Sequence, residues 1–252
     1  ALPILKIVVP LNQVPDLVED LEVDASGKAL DTDDIKFKLN EFDDHALEEA
    51  ILLKESGAGD EVVAMAIDSD GADKMLFTAI AKGADKVVKL TGGNPADSHQ
   101  LGKAFANALE LEGFDIVFTG VQSVDDRDGQ LGPIIASYLG APCVSVVSGI
   151  SISGATAVVH KEYSGGMMGE FEVDMPAVLG IQAAKQAPRY APVSKIRQVQ
   201  ETASIMEASM GDVGSANGSA VASMAPPAKG SGAEMLDDID DLIDVLKDKG
   251  AI

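Results

Sequence analysis

Tryptophan is absent from this chain of 252 residues, and the other aromatics are scarce: seven Phe and three Tyr. Cysteine occurs once, at Cys143, which excludes a disulfide within the chain and fits a reducing compartment. Positive charge is short. Against 41 Asp and Glu stand 19 Lys and Arg, for a formal charge of -22. Such a surface repels nucleic acid and anionic membranes, so neither is expected as a partner. No run reaches the roughly 18 apolar residues of a spanning helix, so direct membrane insertion is not expected. The opening Ala-Leu-Pro-Ile lacks the basic and apolar regions of a signal peptide, and the expectation is a cytoplasmic protein.

Catalytic patterns are missing too. The three histidines, His45, His99 and His160, lie in unlike segments without metal-ligand spacing. Cys143 falls in an apolar stretch and reads as a buried, inert thiol. Ser123 has no histidine near it in sequence. Neither a Gly-x-Gly-x-x-Gly fingerprint nor a Walker sequence is present.

What is present is regular alternation. Hydrophobic residues make up 46% of the chain, enough for a sizeable core. Short branched runs at 4–9, 62–67, 86–90, 115–119 and 143–147 read as buried strands. Between them, 43–56, 71–83, 98–111 and 129–139 carry helical spacing with Gly stops. This pattern predicts a parallel sheet with helices on both faces and ligand-binding loops at the carboxyl edge. Residues 150–182, which include Ala177 to Ile181, are short strands with Gly turns and read as an antiparallel extension. The expected organisation is a domain over 1–200, a linker rich in Ala, Ser, Gly and Met over 201–233, and an amphipathic helical arm over 234–252. Acidity is local. Residues 15–49 hold 13 acids and 3 bases, and residues 234–249 hold 7 acids and 2 bases.

Two loops draw attention. Gly120 through Pro133 joins a strand to a helix, where backbone N–H groups and the helix dipole attract an anion and Arg127 can pair with phosphate. Asp125, Asp126 and Asp128 read equally as helix caps. In Leu39-Asn40-Glu41-Phe42-Asp43-Asp44, Asn40 and Asp43 are capping types, and Phe42 either staples the helix or shelters a planar base.

These residues resemble the beta subunit of electron-transferring flavoproteins. The resemblance rests on Asn12-Gln13-Val14-Pro15-Asp16, Leu39 through Ala50, Gly83-Ala84-Asp85-Lys86, and Gly120-Val121-Gln122-Ser123-Val124-Asp125. It continues through Lys161 to Gly166 with Met175-Pro176-Ala177-Val178, Ala187-Pro188-Arg189-Tyr190-Ala191, and the ending Leu246 to Ile252. The seven segments stand in the family's order.

The resemblance implies a Rossmann-like fold of the adenine-nucleotide alpha-hydrolase-like kind. It also implies a heterodimer whose alpha subunit holds most of one FAD, on which the protein is an electron carrier and not an enzyme in its own right. Electrons would pass from flavin dehydrogenases to a quinone oxidoreductase or similar acceptor, and this subunit would bury a structural AMP. The implied nucleotide contacts are Pro10, Asn40, Glu41, Phe42, Asp43 and Ile67, with Gly120, Val121, Gln122, Ser123, Val124, Asp125, Asp126, Arg127, Asp128, Gly129, Gln130 and Leu131. The implied partner-anchoring segment comprises Lys185, Pro188, Arg189 and Tyr190. Lys185 stands where the family often has Leu, and Leu17 where many members have Tyr beside the flavin. Two alternatives are a bifurcating member with a second FAD in place of AMP, and a stand-alone adenine-nucleotide-binding stress-type protein.

Overall fold

A computed structural model describes all residues except 1–4, 126, 128, 217–219, 229, 231 and 234. The chain divides into two compact units, residues 1–20 with 33–220 and residues 21–32 with 221–252.

The first unit is built on a nine-stranded sheet. In chain order its strands are β1 (Lys6–Pro10), β4 (Glu61–Ile67), β5 (Lys86–Thr91), β6 (Ile116–Gly120), β7 (Cys143–Ser153), β8 (Thr156–Tyr163), β9 (Met167–Asp174), β10 (Ala177–Ile181) and β11 (Met206–Ser209). Two short strands, β2 (Gln13–Pro15) and β3 (Phe37–Leu39), form a separate antiparallel ribbon. The order across the large sheet is β11-β5-β4-β1-β6-β10-β7-β8-β9. Pairing is parallel from β11 to β7 and antiparallel from β7 to β9. The alternation of short apolar runs and helical segments therefore produces the α/β architecture that it predicts.

Helices cover both faces. On one side α1 (Glu41–Glu55) and α2 (Ala72–Lys82) set Ala46, Leu47, Ile51 and Leu76 against Ile7, Val9, Ala64 and Phe118. On the other, α3 (Ser98–Glu112) and α4 (Leu131–Leu139) set Phe105, Leu109 and Ile135 against Val8, Val63, Val117 and Val178. Successive strand residues feed opposite cores, as the two-residue period requires. The unit is completed by α5 (Val193–Thr202).

Three expectations change here. Ala177 to Ile181 does not belong to the antiparallel extension: as β10 it lies between β6 and β7, parallel to both and buried throughout. A continuous apolar run of this kind is what a strand covered on both faces needs. Next, the start of the expected 201–233 linker is structured. β11 pairs with β5, and Met210 behind it is 3% exposed, because the edge of β5 offers a ladder that even a Met-Glu-Ala-Ser segment can fill. Finally, Cys143 opens β7 and is exposed, not buried.

β7 runs for eleven residues across the junction between the two pairing modes. Its register shifts between Val147 and Gly149, next to Val146 with φ 65. Positive φ is a rare conformation for a β-branched residue, and it marks where the strand leaves β10 and turns to β8.

In the second unit, Val23 bridges Leu30 across a tight turn, and the Met224 N–H donates to the Gly27 carbonyl. Its helix, α6 (Ile239–Asp248), is capped by Asp238, whose carboxylate accepts from the Asp241 N–H. Ile239 and Leu242 on that helix stand exposed. Among the described residues, no helix is long and apolar enough to cross a membrane.

The place of β10 is testable by truncation. Leu179→Ala should cost about 2–5 kcal/mol in chemical denaturation, as for a fully buried leucine. Leu111→Ala, at an 80% exposed position, should stay within about 0.5 kcal/mol. Similar small costs for both would remove β10 from the middle of the sheet.

Candidate functional site

Because the strands from β11 to β7 run parallel, the loops that follow β1, β4, β5 and β6 gather at one edge of the sheet. They enclose a cleft of about 460 Å³. Its walls come from Leu11–Gln13, Asn40 and Asp43, Ile67 and Ser69, Met75, Asn94–Ser98 with Leu101, and Gly120–Ser123 with Asp125 and Leu131. This volume lies within the roughly 300–1,000 Å³ range of small-molecule pockets.

Asp43 is the joint of the cleft. It sits in the first turn of α1 and is 1% exposed. One carboxylate oxygen accepts from the Asn12 N–H at 2.8 Å, and the other accepts from the Gly120 N–H at 3.0 Å. The loops after β1 and β6 are thereby tied to one side chain. Burial pushes its pKa up to about 7, against the pull of the hydrogen bonds from Asn12, Asn40 and Gly120. Gly120 is required by this closeness: a Cβ there would stand 2.8 Å from the Asp43 backbone nitrogen. Asn40 precedes α1 but does not cap it through its side chain. Its amide instead donates to the Gln122 carbonyl at 2.9 Å, adding a second tie to the β6 loop.

The remaining walls follow from local sequence. Gln13 accepts a hydrogen bond from the Ser69 hydroxyl at 3.1 Å, which joins the β1 and β4 loops. Asp97 caps α3 by accepting from the Gln100 N–H at 2.8 Å, so the start of that helix faces the cleft. α4 begins close to β6, where Gly132 leaves no room for a Cβ, 2.7 Å from the Thr119 hydroxyl oxygen. That hydroxyl is buried and has no hydrogen-bond partner among the described residues.

The lining is rich in carboxamides, namely Asn12, Gln13, Asn40, Asn94 and Gln122, and among the described residues no Lys, Arg or His reaches it. Its acids are Asp43, Asp97 and Asp125. Carboxamides offer both donors and acceptors, which suits a nucleobase and ribose. Anionic groups are left to backbone N–H groups and helix starts.

Of the residues expected here, Asn40, Asp43, Ile67, Gly120, Val121, Gln122, Ser123, Asp125 and Leu131 come together on the cleft. Others fall elsewhere. Glu41, Phe42, Val124 and Arg127 line a smaller outer cavity of about 180 Å³, together with Val14, Leu17 and Lys38. Arg127 therefore does not face the cleft. Gly129 and Gln130 border a third hollow beside His99 and Tyr138. Pro10 is buried and lines none of these three. Asp126 and Asp128 lie outside the described residues. Asp125 does not cap α4, which starts after Gln130; its carboxylate accepts from the Ser123 hydroxyl.

Leu11, Asn12, Gln13, Ser69, Met75 and Asn94–Ser98 were not expected. Most of them stand in loops directly after strands, where Gly92-Gly93-Asn94-Pro95 before a capping Asp97 is the clearest signal; Met75 and Ser98 belong to α2 and α3.

The segment 184–190 is held by the side of α1. The backbone N–H groups of Ala184 and Lys185 donate to His45 Nδ1 (3.2 Å) and Glu49 (2.8 Å). Arg189 forks onto Glu48 at 2.9 Å and onto Glu55 at 2.6 Å. Glu48 is buried while Arg189 stays partly exposed, and the two carboxylates hold the guanidinium charged. Burial raises the pKa of Glu49. Tyr190, by contrast, is 81% exposed.

A doubly wound α/β unit with a nucleotide-sized cleft at its carboxyl edge defines a ligand-binding module of the Rossmann-like class. The family model described as electron transfer flavoprotein domain matches residues 28–214. A protein of Methylophilus methylotrophus named electron transfer flavoprotein subunit beta is 38% identical over 215 residues, covering 83% of this chain and 81% of the relative. Proteins of the same name from Syntrophomonas wolfei and Clostridium acetobutylicum are each 35% identical, over 74% and 76% of this chain and 73% and 74% of their own lengths. The chain belongs to the electron transfer flavoprotein family, among its beta subunits.

The raised pKa of Asp43 makes a signed prediction. A carboxyl that holds its proton more tightly in the folded state stabilises the fold below its ordinary value of 3.8, and that contribution is lost as pH rises towards about 7. Asp43→Asn lowers stability outright, because an amide cannot accept from both the Asn12 and Gly120 N–H groups. It should also flatten the decline in unfolding midpoint expected of the unaltered chain between about pH 4 and pH 7, leaving the share that Glu49 contributes. Parallel pH profiles for the two proteins would refute the assignment.

Proposed function

We propose that this chain is the beta subunit of a heterodimeric electron transfer flavoprotein, and that its cleft holds a structural AMP. The observation that carries this reading is the cleft itself: mononucleotide in scale, lined by five carboxamides and, among the described residues, by no side-chain cation. A single phosphate can be met by backbone N–H groups and the starts of α3 and α4. A second FAD would add a pyrophosphate to a lining whose described residues offer three carboxylates and no lysine or arginine, which favours AMP. Asn40, Asp43 and Gly120–Ser123 are the contacts and positioning groups on this reading, with Ile67 and Leu131 as apolar walls.

The electron chemistry belongs to an FAD held mainly by an alpha subunit, and a flavin in that place accepts and passes on electrons. This chain then acts as an electron carrier component between flavin dehydrogenases and a quinone oxidoreductase or similar acceptor. Its own residues contribute a rigid nucleotide-filled body and two surfaces for partners. One is the segment containing Lys185, Pro188, Arg189 and Tyr190. There α1 fixes the backbone through His45, Glu48 and Glu49, so the exposed Tyr190 is presented from an anchored base. The other is α6, whose exposed Ile239 and Leu242 suit an arm that packs on the alpha subunit.

Two measurements test this. Denaturing the native complex should release one AMP per beta chain; recovery of two FAD per heterodimer without AMP would establish the bifurcating alternative. Deleting residues 234–252 should weaken association with the alpha subunit in a gel-filtration titration while leaving the sheet folded. Unchanged association would sink the role given to the arm.

A further inference from the structure

Asp43 lines the cleft, and among the described residues no cation lines it beside that carboxyl. The Asn12 and Gly120 N–H groups that it accepts from are dipoles and carry no charge. The elements packed around it bring acids or turn their cations elsewhere. On α1, Asp44 is bonded to Lys82, and His45 accepts from the Ala184 N–H. The loop after β1 presents the neutral Asn12 and Gln13, and further along it Asp16 pairs with Lys38. The loop after β4 brings Ser69, and Asp68 beside it pairs with Lys89. The loop after β6 brings Asp125, while its Arg127 lines the outer cavity. The start of α3 brings Asp97.

A nucleotide that fills this cleft acts on Asp43 in two ways. It displaces water from the one side of the carboxyl that the protein leaves open. Its phosphate also adds negative charge to a space that already holds three acids. Both effects favour the neutral form of a carboxyl. The two N–H groups favour the charged form, but they are engaged before any ligand arrives. Burial already pushes the Asp43 pKa up to about 7, so a further push acts where a proton is readily gained or lost.

We infer that the nucleotide and a proton enter together: Asp43 takes up a proton as the cleft fills, so the cleft holds its nucleotide more tightly in acid than in base. This rests on the reading of the cleft as an AMP site and gives that site a regulator, the proton concentration. The sign follows from linkage. The liganded chain keeps the proton to a higher pH than the free chain, so affinity falls as pH rises through the interval between the two. Each pKa unit gained on binding is about tenfold in affinity across that interval.

The test uses the full chain freed of nucleotide by dialysis. AMP binding is measured by calorimetry in two buffers of unlike ionisation enthalpy, which gives the protons taken up per ligand. At about pH 7.5 the unaltered chain should take up roughly half a proton per AMP, and its affinity should fall about tenfold from about pH 6 to pH 9. Asp43→Asn should abolish both effects. Infrared difference spectra of the unaltered chain should show a protonated carboxyl appearing with AMP, a band that a phosphate cannot give. That band should persist in Asp97→Asn and in Asp125→Asn, which assigns it to Asp43 even if Asp43→Asn does not fold. Binding without uptake, an uptake that survives Asp43→Asn, or a carboxyl band absent or lost with Asp97 or Asp125 overturns the linkage and leaves the nucleotide site standing. A failure of the unaltered chain to bind AMP at any of these pH values overturns the reading of the cleft, and the linkage with it.

Discussion

One buried carboxylate holds the candidate site together. Asp43 belongs to a helix, yet both its oxygens are spent on loops that come from β1 and β6, strands far apart in sequence and adjacent in the sheet. With Asn40, which bonds the Asn12 and Gln122 carbonyls, it fixes the first turn of α1 to two of the loops that form the cleft wall. The arrangement carries a cost. A carboxylate this deep loses its water, and two N–H donors offset only part of the loss, so the group keeps its proton to near neutrality. Gly120 follows from the same contact, since any side chain there would collide with the start of α1.

From this joint α1 continues as a rod with a second task. Its first turn holds the cleft, and further along His45, Glu48, Glu49 and Glu55 hold the 184–189 segment. Part of the negative charge concentrated over residues 15–49 is therefore not surface. Asp43, Glu48 and Glu49 are buried and answer N–H groups or a guanidinium. The sequence presents those acids as a charge run; the fold uses three of them as internal fasteners. Breaking a buried pair of this kind leaves an uncompensated charge, which is why such pairs resist substitution one partner at a time.

The parallel sheet was legible because apolar runs and helical periods alternate, and sterics allow few topologies for that pattern. β10 was not, because Ala177–Ile181 follows two hairpin strands with glycine turns, and local pattern cannot show that the chain returns to the centre of the sheet. β11 was illegible for another reason: Met206–Ser209 has no apolar run, and its strand state comes from the β5 edge that it covers. In the site, Asn40, Asp43 and Gly120–Ser123 were reached through motif resemblance. Asn12 stood in a matched segment without being singled out as a contact, and Ser69 and Asn94 lay outside every match, because polar loop residues have no periodicity and become a site only when strand order brings their loops together. Arg127 shows the opposite case: its charge suggested phosphate, and it lines the outer cavity and not the cleft.

The pairing of β11 with β5 has a mechanical consequence. The chain that leaves β11 is first tied to α3, where the Asn107 amide donates to the Met210 carbonyl at 2.9 Å and the Gln100 amide to the Gly214 carbonyl at 2.8 Å. A pull on the carboxyl-terminal segment would meet these two side chains before it reached the sheet. Beyond them it would load the β11–β5 ladder in shear, with its hydrogen bonds bearing force together and not one after another. Two side-chain bonds and a strand ladder thus stand between the tail and the sheet edge above the cleft.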